Sequence, residues 1–293
     1  MSTIGYLGPG GSFTEEALYT FTASQPAINP AQLRMFPSIP QLLTACAGRE
    51  IEWAFVPIEN STEGPVVATM DALGQAGNLL IHREYNHPVQ QCLMAKQKIS
   101  HSSIMKIYSH EQGLGQCRTY LSKYLPHAEQ VVCTSTAEAA RLVAVSAAAV
   151  ALQTATAAAI APRRAAQLYD LYCIEESIQD GNYNTTRFVL IGNHVPALPV
   201  EPVPFPDAKT SLLIKTANTP GALYEALGEF ARRQINLTRI ESRPSKQKLG
   251  EYVFFIDVDG HILAPAMQES LASLKEKDVW TKLLGSYPKA VLP

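Results

Sequence analysis

The sequence lacks the features that would assign it to several common protein classes. Its formal net charge is only −2 at pH 7, which gives no electrostatic reason to expect binding to nucleic acid or to an anionic membrane surface. No apolar run approaches the roughly 18 residues of a transmembrane helix. The first residues, Ile4 to Gly8, are typical of a strand and not of a secretion signal. We therefore expect a cytoplasmic protein with no nucleic acid and no membrane among its partners.

The cysteine, glycine and histidine patterns exclude further classes. The five cysteines are widely spaced and form no C-x-x-C motif, which is typical of reduced thiols and not of a disulfide framework. The glycines between Gly8 and Gly11 do not match the dinucleotide-binding pattern G-x-G-x-x-G, and no P-loop lysine follows them. The histidines are scattered, so no metal site is predicted. Nucleotide binding and metal binding are therefore not expected.

Proline marks the main boundary of the chain. Five prolines fall between positions 196 and 206, and such a density prevents both a helix and a central strand. With 293 residues the chain is long enough for two domains. We predict a first domain over residues 1–194, a semi-rigid linker over 195–207 and a second domain over 208–293.

The first domain alternates strand-like and helix-like segments, which is typical of α/β lobes with largely parallel sheets. Capping boxes at Ser12 and Ser135 predict two of the helix starts. The alanine-rich region predicts a short buried strand at Ala149–Leu152 and then a helix at Ala157–Leu168. In the second domain the predicted order from Thr210 onwards is βαββαβ, the ferredoxin-like split motif.

The segment from Asn184 to Phe188 is the strongest candidate for a functional site. It places an amide, two hydroxyls and a guanidinium directly before the apolar run Val189–Ile191. Burying such groups without partners costs roughly 1–3 kcal/mol each, so they are expected to line a wet cleft or to touch a ligand. A polar strand edge with an exposed arginine is the structural alternative.

Two segments beside predicted helix starts also have a structural and a functional interpretation. Pro57–Gly64 places a carboxylate, an amide and two hydroxyls where either an elaborate N-cap or an anion site is expected. Gly8–Ser12 is either a tight turn or a helix start whose free amides hold a carboxylate.

The segment Ser109–Cys117 follows another predicted strand. Ser109 is expected to cap a helix on which Gln112 and Gln116 share one face. No second metal ligand lies at a suitable spacing from His110, so a capping or solvent-facing role is expected for this residue. In the second domain, Asn218–Leu223 and Ile240–Pro244 combine turn residues with charged ones, as either a surface turn or a ligand site would.

These segments resemble the prephenate dehydratase family, and the likeness covers nearly the whole chain. The tail Lys209–Pro288 resembles its ACT regulatory domain. One departure is Glu111–Gly115, where the family tends to have proline after the histidine and alanines in place of these glycines, which leaves the role of His110 open. No chorismate mutase helix precedes Met1, so the monofunctional form is expected. The catalytic region is matched by Gly8–Glu15, Val56–Gly64, Ser109–Cys117 and Asp180–Phe188.

The resemblance implies a bilobal catalytic domain, similar to periplasmic binding proteins, joined to a ferredoxin-like ACT domain. The implied reaction removes carbon dioxide and the ring hydroxyl from prephenate, giving phenylpyruvate in L-phenylalanine biosynthesis, without cofactor or metal. Thr186 is then the expected donor to the leaving hydroxyl, acting directly or as a relay from Glu59, so both are catalytic candidates. The expected substrate contacts are Asn60, Ser61, Ser109, Gln116, Arg187 and Phe188, although Arg187 has bracing of the loop as an alternative role.

An ACT domain further implies feedback by L-phenylalanine at a domain–domain interface. Such an interface pairs two copies of the domain, so a homodimer or a homotetramer built as a dimer of dimers is expected. The expected effector contacts are Gly221, Ala222, Leu223, Asn236, Leu237, Glu241, Ser242 and Arg243.

Three alternatives stay open on the sequence alone. Arogenate dehydratase would keep the chemistry and change the keto group of the substrate to an amine, and no residue decides between the two. A non-catalytic amino-acid sensor would not need the set of Thr186, Glu59, Asn60 and Gln116. An ACT-regulated dehydrogenase would need the dinucleotide pattern that is missing.

Overall fold

The computed structural model describes residues 3–25, 28, 32–149, 157–181, 183–193, 207–246, 248 and 250–290. Its strands are β1 (Thr3–Leu7), β2 (Gln32–Phe36), β3 (Trp53–Asn60), β4 (Gly64–Pro65), β5 (Leu79–Pro88), β6 (Cys92–Ala95), β7 (Lys106–Ser109), β8 (Glu129–Val132), β9 (Ala157–Ala161), β10 (Tyr172–Glu175), β11 (Thr185–Asn193), β12 (Ala208–Lys215), β13 (Leu237–Pro244), β14 (Tyr252–Asp259) and β15 (Trp280–Pro288). Its α-helices are α1 (Phe13–Ser24), α2 (Ile39–Ala47), α3 (Val67–Gln75), α4 (Glu111–Gln116), α5 (Arg118–Tyr124), α6 (Thr136–Ala149), α7 (Arg163–Tyr169), α8 (Ala222–Ala231) and α9 (Pro265–Glu276). None of the helices in these ranges has the length and apolar character needed to span a membrane.

The first domain has two lobes, each built on its own sheet. The first lobe contains β1 to β5 and β11, and the second lobe has the strand order β10-β6-β9-β7-β8. The chain crosses between the lobes twice, after β5 and again before β11. The two crossing segments are hydrogen-bonded to each other, from Val89 N to Asn184 O at 2.8 Å and from Ile178 N to Gln91 O at 3.0 Å. The bilobal α/β prediction is therefore confirmed, and the crossings form a hinge.

Both sheets are mixed, whereas largely parallel sheets were predicted. In the first lobe β1 is parallel to β2 and β3, but β11 is antiparallel to both β3 and β5. In the second lobe β6 is antiparallel to β9 and to β10. The strands next to the crossings are the antiparallel ones, because the chain enters and leaves each lobe at the hinge.

The second domain has the predicted ferredoxin-like order βαββαβ. Its strands form the sheet β13-β14-β12-β15, which α8 and α9 cover on one face. Strand β15 also pairs with β5 through Gly285 and Ile81, so the sheets of this domain and of the first lobe are continuous. Gly285 has φ 154°, and a Cβ there would collide with the Ile81 carbonyl oxygen, so glycine is required at this junction.

One helix prediction is wrong. Residues Ala157–Leu168 were predicted as a helix, but Ala157–Ala161 form the central strand β9 and α7 begins only at Arg163. Four alanine or isoleucine side chains of β9 are completely buried between β6 and β7. Such tertiary packing overrides even the high helical propensity of alanine, because intrinsic propensity is a weak determinant of structure. Of the strand predicted at Ala149–Leu152, Ala149 ends α6 and the rest lies outside the described residues.

Phe188 belongs to the apolar core of the first lobe. Its side chain is 1% exposed and stacks on Phe55, with ring centroids 5.0 Å apart and an interplanar angle of 6°. Helix α1 contributes Leu18 and Phe21 to the same cluster. The buried position of Phe188 therefore gives this side chain a role in packing.

Replacing Phe188 by alanine is expected to lower the free energy of unfolding by about 3–5 kcal/mol, because a fully buried aromatic side chain leaves a cavity. Urea unfolding followed by circular dichroism measures this change. Tyr224→Ala is the control, since that side chain is 76% exposed and its loss should cost little. A Phe188→Ala protein as stable as the control would contradict the core assignment.

Candidate active site

A cavity of about 380 Å³ lies at the hinge between the two lobes. Polar residues from both lobes and from the crossing segments line it, as is typical of a small-molecule site between two α/β lobes. The described lining residues are Phe13, Asn60, Glu63, Val89, Gln91, His110, Gln112, Gly113, Gln116, Thr134, Ser135, Thr136, Asn184 and Thr186.

Asn60 and Thr186 are direct cross-strand neighbours on β3 and β11. Asn60 Nδ2 donates to Thr186 Oγ1 at 2.8 Å and to Asn184 Oδ1 at 2.8 Å. Asn60 Oδ1 accepts the backbone N–H groups of Thr62 and Glu63, both at 2.9 Å, which fixes the orientation of the amide. Because the Thr186 oxygen accepts from Asn60, its own proton is left for a group in the cleft.

Gln116 is held from the hinge. Gln91 Nε2 donates to Gln116 Oε1 at 3.0 Å, so the remaining Gln116 amide donor is presented to the cavity. Gln91 is 2% exposed, and its backbone N–H donates to Gln179 Oε1 at 2.9 Å. Gln91 was not predicted from the sequence, because two glutamines directly before the apolar run Cys92–Ala95 give no signal of a site.

His110, and not Ser109, caps α4. The His110 Nδ1 atom accepts from Gln112 N at 3.3 Å, which confirms the capping role predicted for this histidine. Ser109 ends β7, is completely buried and donates to Ile160 O at 2.8 Å. The prediction of Ser109 as a helix cap is therefore wrong. Its hydroxyl donates to a neighbouring strand, and its contact with the substrate stays a prediction.

Glu59 and Arg187 point away from the cleft. Side chains alternate between the two faces of a strand, so Glu59 and Arg187 lie on the face opposite to Asn60 and Thr186. Glu59 Oε2 is 3.7 Å from Arg187 Nη1 and 3.3 Å from Arg239 Nε of the second domain. A proton relay from Glu59 to Thr186 and a substrate contact by Arg187 are both corrected by this geometry.

Arg187 instead joins the first lobe to the second domain. Its Nε donates to Glu84 at 2.8 Å, its Nη1 to Asp257 at 2.6 Å and its Nη2 to the Tyr287 hydroxyl at 2.9 Å. Burial opposes the charged guanidinium, but Tyr287, Asp257 and Glu84 raise the pKa of Arg187 well above its ordinary value. Burial likewise opposes the Asp257 carboxylate, yet the neighbouring Arg187 charge keeps the pKa of Asp257 below its usual value. Arg187 and Asp257 therefore form a charged pair at neutral pH.

The two remaining substrate candidates have structural partners. Ser61 Oγ donates to Tyr183 O at 2.8 Å and accepts from Thr185 N at 2.9 Å, so it braces the return crossing. Phe188 lies in the core of the first lobe, so the prediction of a substrate contact is corrected for this residue. Of the eight predicted catalytic and substrate residues, the described cavity lining contains Asn60, Gln116 and Thr186.

The glycine turn before α1 binds a carboxylate of the protein itself. Glu15 accepts the Gly11 N–H at 2.7 Å and the Tyr6 hydroxyl at 3.0 Å. The same carboxylate accepts from Arg164 Nε of the second lobe at 3.1 Å. The Ser12 cap is confirmed by its bond from Glu15 N at 3.4 Å. This helix start therefore tethers the lobes, and its anion partner is Glu15.

The predicted effector residues lie at the start of α8 and along β13, the edge strand of the sheet. Gly221 precedes α8 with φ 83°, and Leu223 packs against the core of the second domain. Asn236 Nδ2 donates to Asp259 at 3.1 Å. Arg243 reaches α3 of the first lobe and pairs with Asp71 at 3.2 Å. The remaining predicted members on or beside these elements are Ala222, Leu237, Glu241 and Ser242.

A larger cavity of about 850 Å³ lies between α3 and the sheet of the second domain. Several of its charged groups have partners: Asp71 bonds Arg243 and Lys246, and Lys215 bonds Glu251 beside the cavity. Across the described residues, no group of three or more His, Cys, Asp or Glu side chains is arranged as metal ligands would be. The hinge cavity, by contrast, presents the Thr186 hydroxyl and the Gln116 amide to a ligand.

The fold and the site define a two-lobed α/β protein with a polar cleft at its hinge and an appended ferredoxin-like domain. The prephenate dehydratase family model matches residues 4–196, and the ACT domain model matches residues 210–276. The chain therefore belongs to the prephenate dehydratase family, whose members are hydro-lyases, and it carries an ACT domain.

Curated relatives agree over nearly the whole chain. A prephenate dehydratase of Lactococcus lactis subsp. cremoris is 37% identical over 291 residues, covering 97% of this chain and 96% of that protein. One of Amycolatopsis methanolica is also 37% identical, covering 99% of this chain and 90% of that protein. A bifunctional chorismate mutase/prephenate dehydratase of Neisseria gonorrhoeae is 38% identical, covering 99% of this chain and 75% of that protein.

Solved structures share the fold. The prephenate dehydratase of Arthrobacter aurescens, in complex with L-Phe, has a TM-score of 0.83 at 35% identity, covering 98% of this chain and 90% of that one. A protein described as GqqA, a novel type of quorum quenching acylase, also has a TM-score of 0.83, at 27% identity, covering 98% of this chain and 97% of that one. The fold alone therefore does not decide the activity.

Changing Asn60 to aspartate tests the geometry of the cleft. Aspartate still accepts the Thr62 and Glu63 N–H groups but cannot donate to Thr186, so kcat for prephenate is expected to fall by about 10²-fold, as for one lost oriented donor. Steady-state kinetics and thermal unfolding measure activity and integrity.

Asn78→Asp is the matched control, because its amide donates to Asn193 at 3.0 Å away from the cleft. We expect this variant to keep wild-type kcat. Equal kcat values for Asn60→Asp and Asn78→Asp would show that the bond to Thr186 does not orient a reacting group.

Proposed function

We propose that the protein converts prephenate to phenylpyruvate by decarboxylative dehydration, in the biosynthesis of L-phenylalanine. The observation that carries this proposal is the Thr186 hydroxyl, whose oxygen is held by Asn60 so that its proton faces the hinge cleft. The prephenate dehydratases among the relatives, which match almost end to end, support the same reaction.

The chemistry requires little beyond orientation and a hydrogen bond to the leaving group. As the ring carboxylate leaves as carbon dioxide, its bonding electrons enter the ring, which becomes aromatic as hydroxide departs from the opposite carbon. A threonine hydroxyl is too weak an acid to give up its proton at neutral pH. Thr186 therefore stabilises the charge that develops on the departing oxygen by donating a hydrogen bond.

The substrate is a dianion, and the cleft offers donors to it from both lobes. Gln116 presents an amide N–H group, with its carbonyl oxygen already bonded to Gln91. Thr134, Ser135 and Thr136 line the second-lobe wall of the same cavity. Donors from two lobes hold the ligand across the hinge, so closure of the lobes and binding of the substrate support each other.

We propose further that L-phenylalanine regulates the enzyme through the ACT domain, that the protein is cytoplasmic, and that it forms a homodimer or a dimer of dimers. The support is the match to the ACT family, and the Arthrobacter relative whose structure is a complex with L-Phe. Strand β13 is an edge strand whose alternate side chains are exposed, which suits pairing with a second copy.

Phenylpyruvate formation from prephenate, with and without L-phenylalanine, tests this function. It is measured at mildly alkaline pH, where spontaneous breakdown of prephenate is slow. We expect turnover by the wild-type protein that L-phenylalanine reduces, and a loss of about 10²–10³-fold in kcat for Thr186→Ala, as for one oxyanion-hole donor.

Thr185→Ala is the matched control, because that side chain is the neighbouring threonine on the opposite face of β11. It should retain wild-type kcat. A Thr186→Ala variant that keeps most of its activity would contradict the assignment of Thr186 as the donor to the leaving hydroxyl. Turnover of arogenate without turnover of prephenate would change the substrate, and turnover of neither would exclude the dehydratase reaction.

A further inference from the structure

His110 lies in the second-lobe wall of the hinge cavity, directly before α4. Its Nδ1 atom accepts the Gln112 N–H as the cap of that helix. An imidazole nitrogen that accepts a hydrogen bond carries no proton, so the ring proton is on Nε2. Within the described part of the chain, the bond to Gln112 is the one that the His110 side chain makes. The cap therefore fixes the tautomer and leaves the Nε2–H group for a ligand.

The cavity offers little positive charge to a substrate with two carboxylates. The residues that line it, as far as the structure describes them, include no lysine or arginine, and Glu63 adds an exposed carboxylate. In this part of the wall the substrate must be held by uncharged donors. A hydrogen bond to an ionised group is roughly twice as strong as one between neutral groups, so each free N–H group of the wall matters for affinity.

His110 and Thr186 belong to opposite lobes. Thr186 lies on β11 of the first lobe, and His110 follows β7 of the second. In prephenate the hydroxyl is on the ring carbon opposite to the one that bears the ring carboxylate and the pyruvyl side chain. A substrate whose hydroxyl faces Thr186 therefore presents its carboxylate end to the second lobe, where His110 and Gln116 lie.

The two carboxylates of the substrate differ in what they require of a donor. The ring carboxylate leaves as carbon dioxide and loses its charge, so a donor bound to it stabilises the ground state more than the transition state and slows the reaction. The side-chain carboxylate keeps its charge throughout and is retained in phenylpyruvate. A donor bound to it therefore strengthens the binding of substrate, transition state and product alike.

We propose that the Nε2–H group of His110 binds the side-chain carboxylate of the substrate, while Nδ1 of the same ring caps α4. This inference rests on the proposed dehydratase function of the hinge cleft, and it names the group that recognises the keto-acid part of prephenate. The same contact holds the product, because phenylpyruvate retains that carboxylate. His110 is thus a binding residue, and the donor to the leaving hydroxyl is still Thr186.

His110→Asn tests the role of Nε2 separately from that of Nδ1. Asparagine is a good helix cap, but it has no donor at the position of Nε2. We expect KM for prephenate and Kd for phenylpyruvate to rise together by about tenfold or more, the scale of one hydrogen bond to a charged group. The kcat value should change by less than about twofold, as for a loss of uniform binding. Steady-state kinetics gives kcat and KM, and isothermal titration calorimetry gives Kd.

His110→Gln is the matched reverse change. Its amide reaches the position of Nε2 but is a poor cap, so Kd for phenylpyruvate should stay within about threefold of the wild-type value while thermal stability falls below that of His110→Asn. His127→Asn is the control for the substitution itself, because His127 is exposed and lies outside the described lining of the cavity. It should keep the wild-type kcat, KM and Kd.

The outcomes separate the inference from the function on which it rests. A His110→Asn protein with wild-type KM and Kd would overturn the inference and leave His110 as a helix cap. A raised KM with an unchanged Kd for phenylpyruvate would also overturn it, since the lost donor would then bind a group that the product lacks. A wild-type protein that does not turn over prephenate would overturn the proposed function. The calorimetric comparison would still decide whether His110 binds the keto acid, because it needs no turnover.

Discussion

The antiparallel pairing of β3 with β11 is the constraint on which the rest of the structure depends. Because side chains alternate along a strand, two consecutive residues on each strand serve two different partners. Asn60 and Thr186 face the hinge cleft, and Glu59 and Arg187 face the ACT domain. A shift in register by one residue would exchange these faces and place the guanidinium in the cleft.

Charge balance makes this arrangement stable. Arg187 and Lys209 are matched by Glu84 and Asp257 within a region that is largely closed to solvent. Isolated charges in such a place would be very costly, whereas a paired and hydrogen-bonded set is tolerated and holds a defined geometry. These ion pairs make the interface between the domains specific. The interface is also apolar, because Leu213, Phe255 and Tyr287 of the second domain join the core of the first lobe.

The sequence predicted whole elements better than the directions of single side chains. The βαββαβ order of the ACT domain was predicted correctly, because its strands and helices have clear periodicity and are separated by turn residues. Strand β9 was missed, since an alanine-rich run has helical preference and only its burial between two strands makes it extended.

The candidate site shows the same limit. Asn60, Gln116 and Thr186 were predicted and do line the cleft, because their motifs concentrate polar groups after strands. A contiguous motif on a strand cannot point all of its side chains at one ligand, so Glu59, Arg187 and Phe188 were assigned to the wrong face or to the wrong environment. Gln91 could not be predicted, since its partner Gln116 is distant in sequence and meets it only in the fold.

Contacts at the hinge and contacts with the ACT domain hold the β3–β11 pair from two sides. The lobes are tied by Glu15 and Arg164 at one point and by the crossing segments at another. Between these points, Arg187 on β11 bonds Glu84, Asp257 and Tyr287. Hydrogen–deuterium exchange over residues 183–193, compared between wild type and Tyr287→Phe, tests this account most directly. The account predicts faster exchange around Thr185–Arg187 in the variant. Altered exchange confined to the ACT strands, with residues 183–193 unchanged, would contradict it.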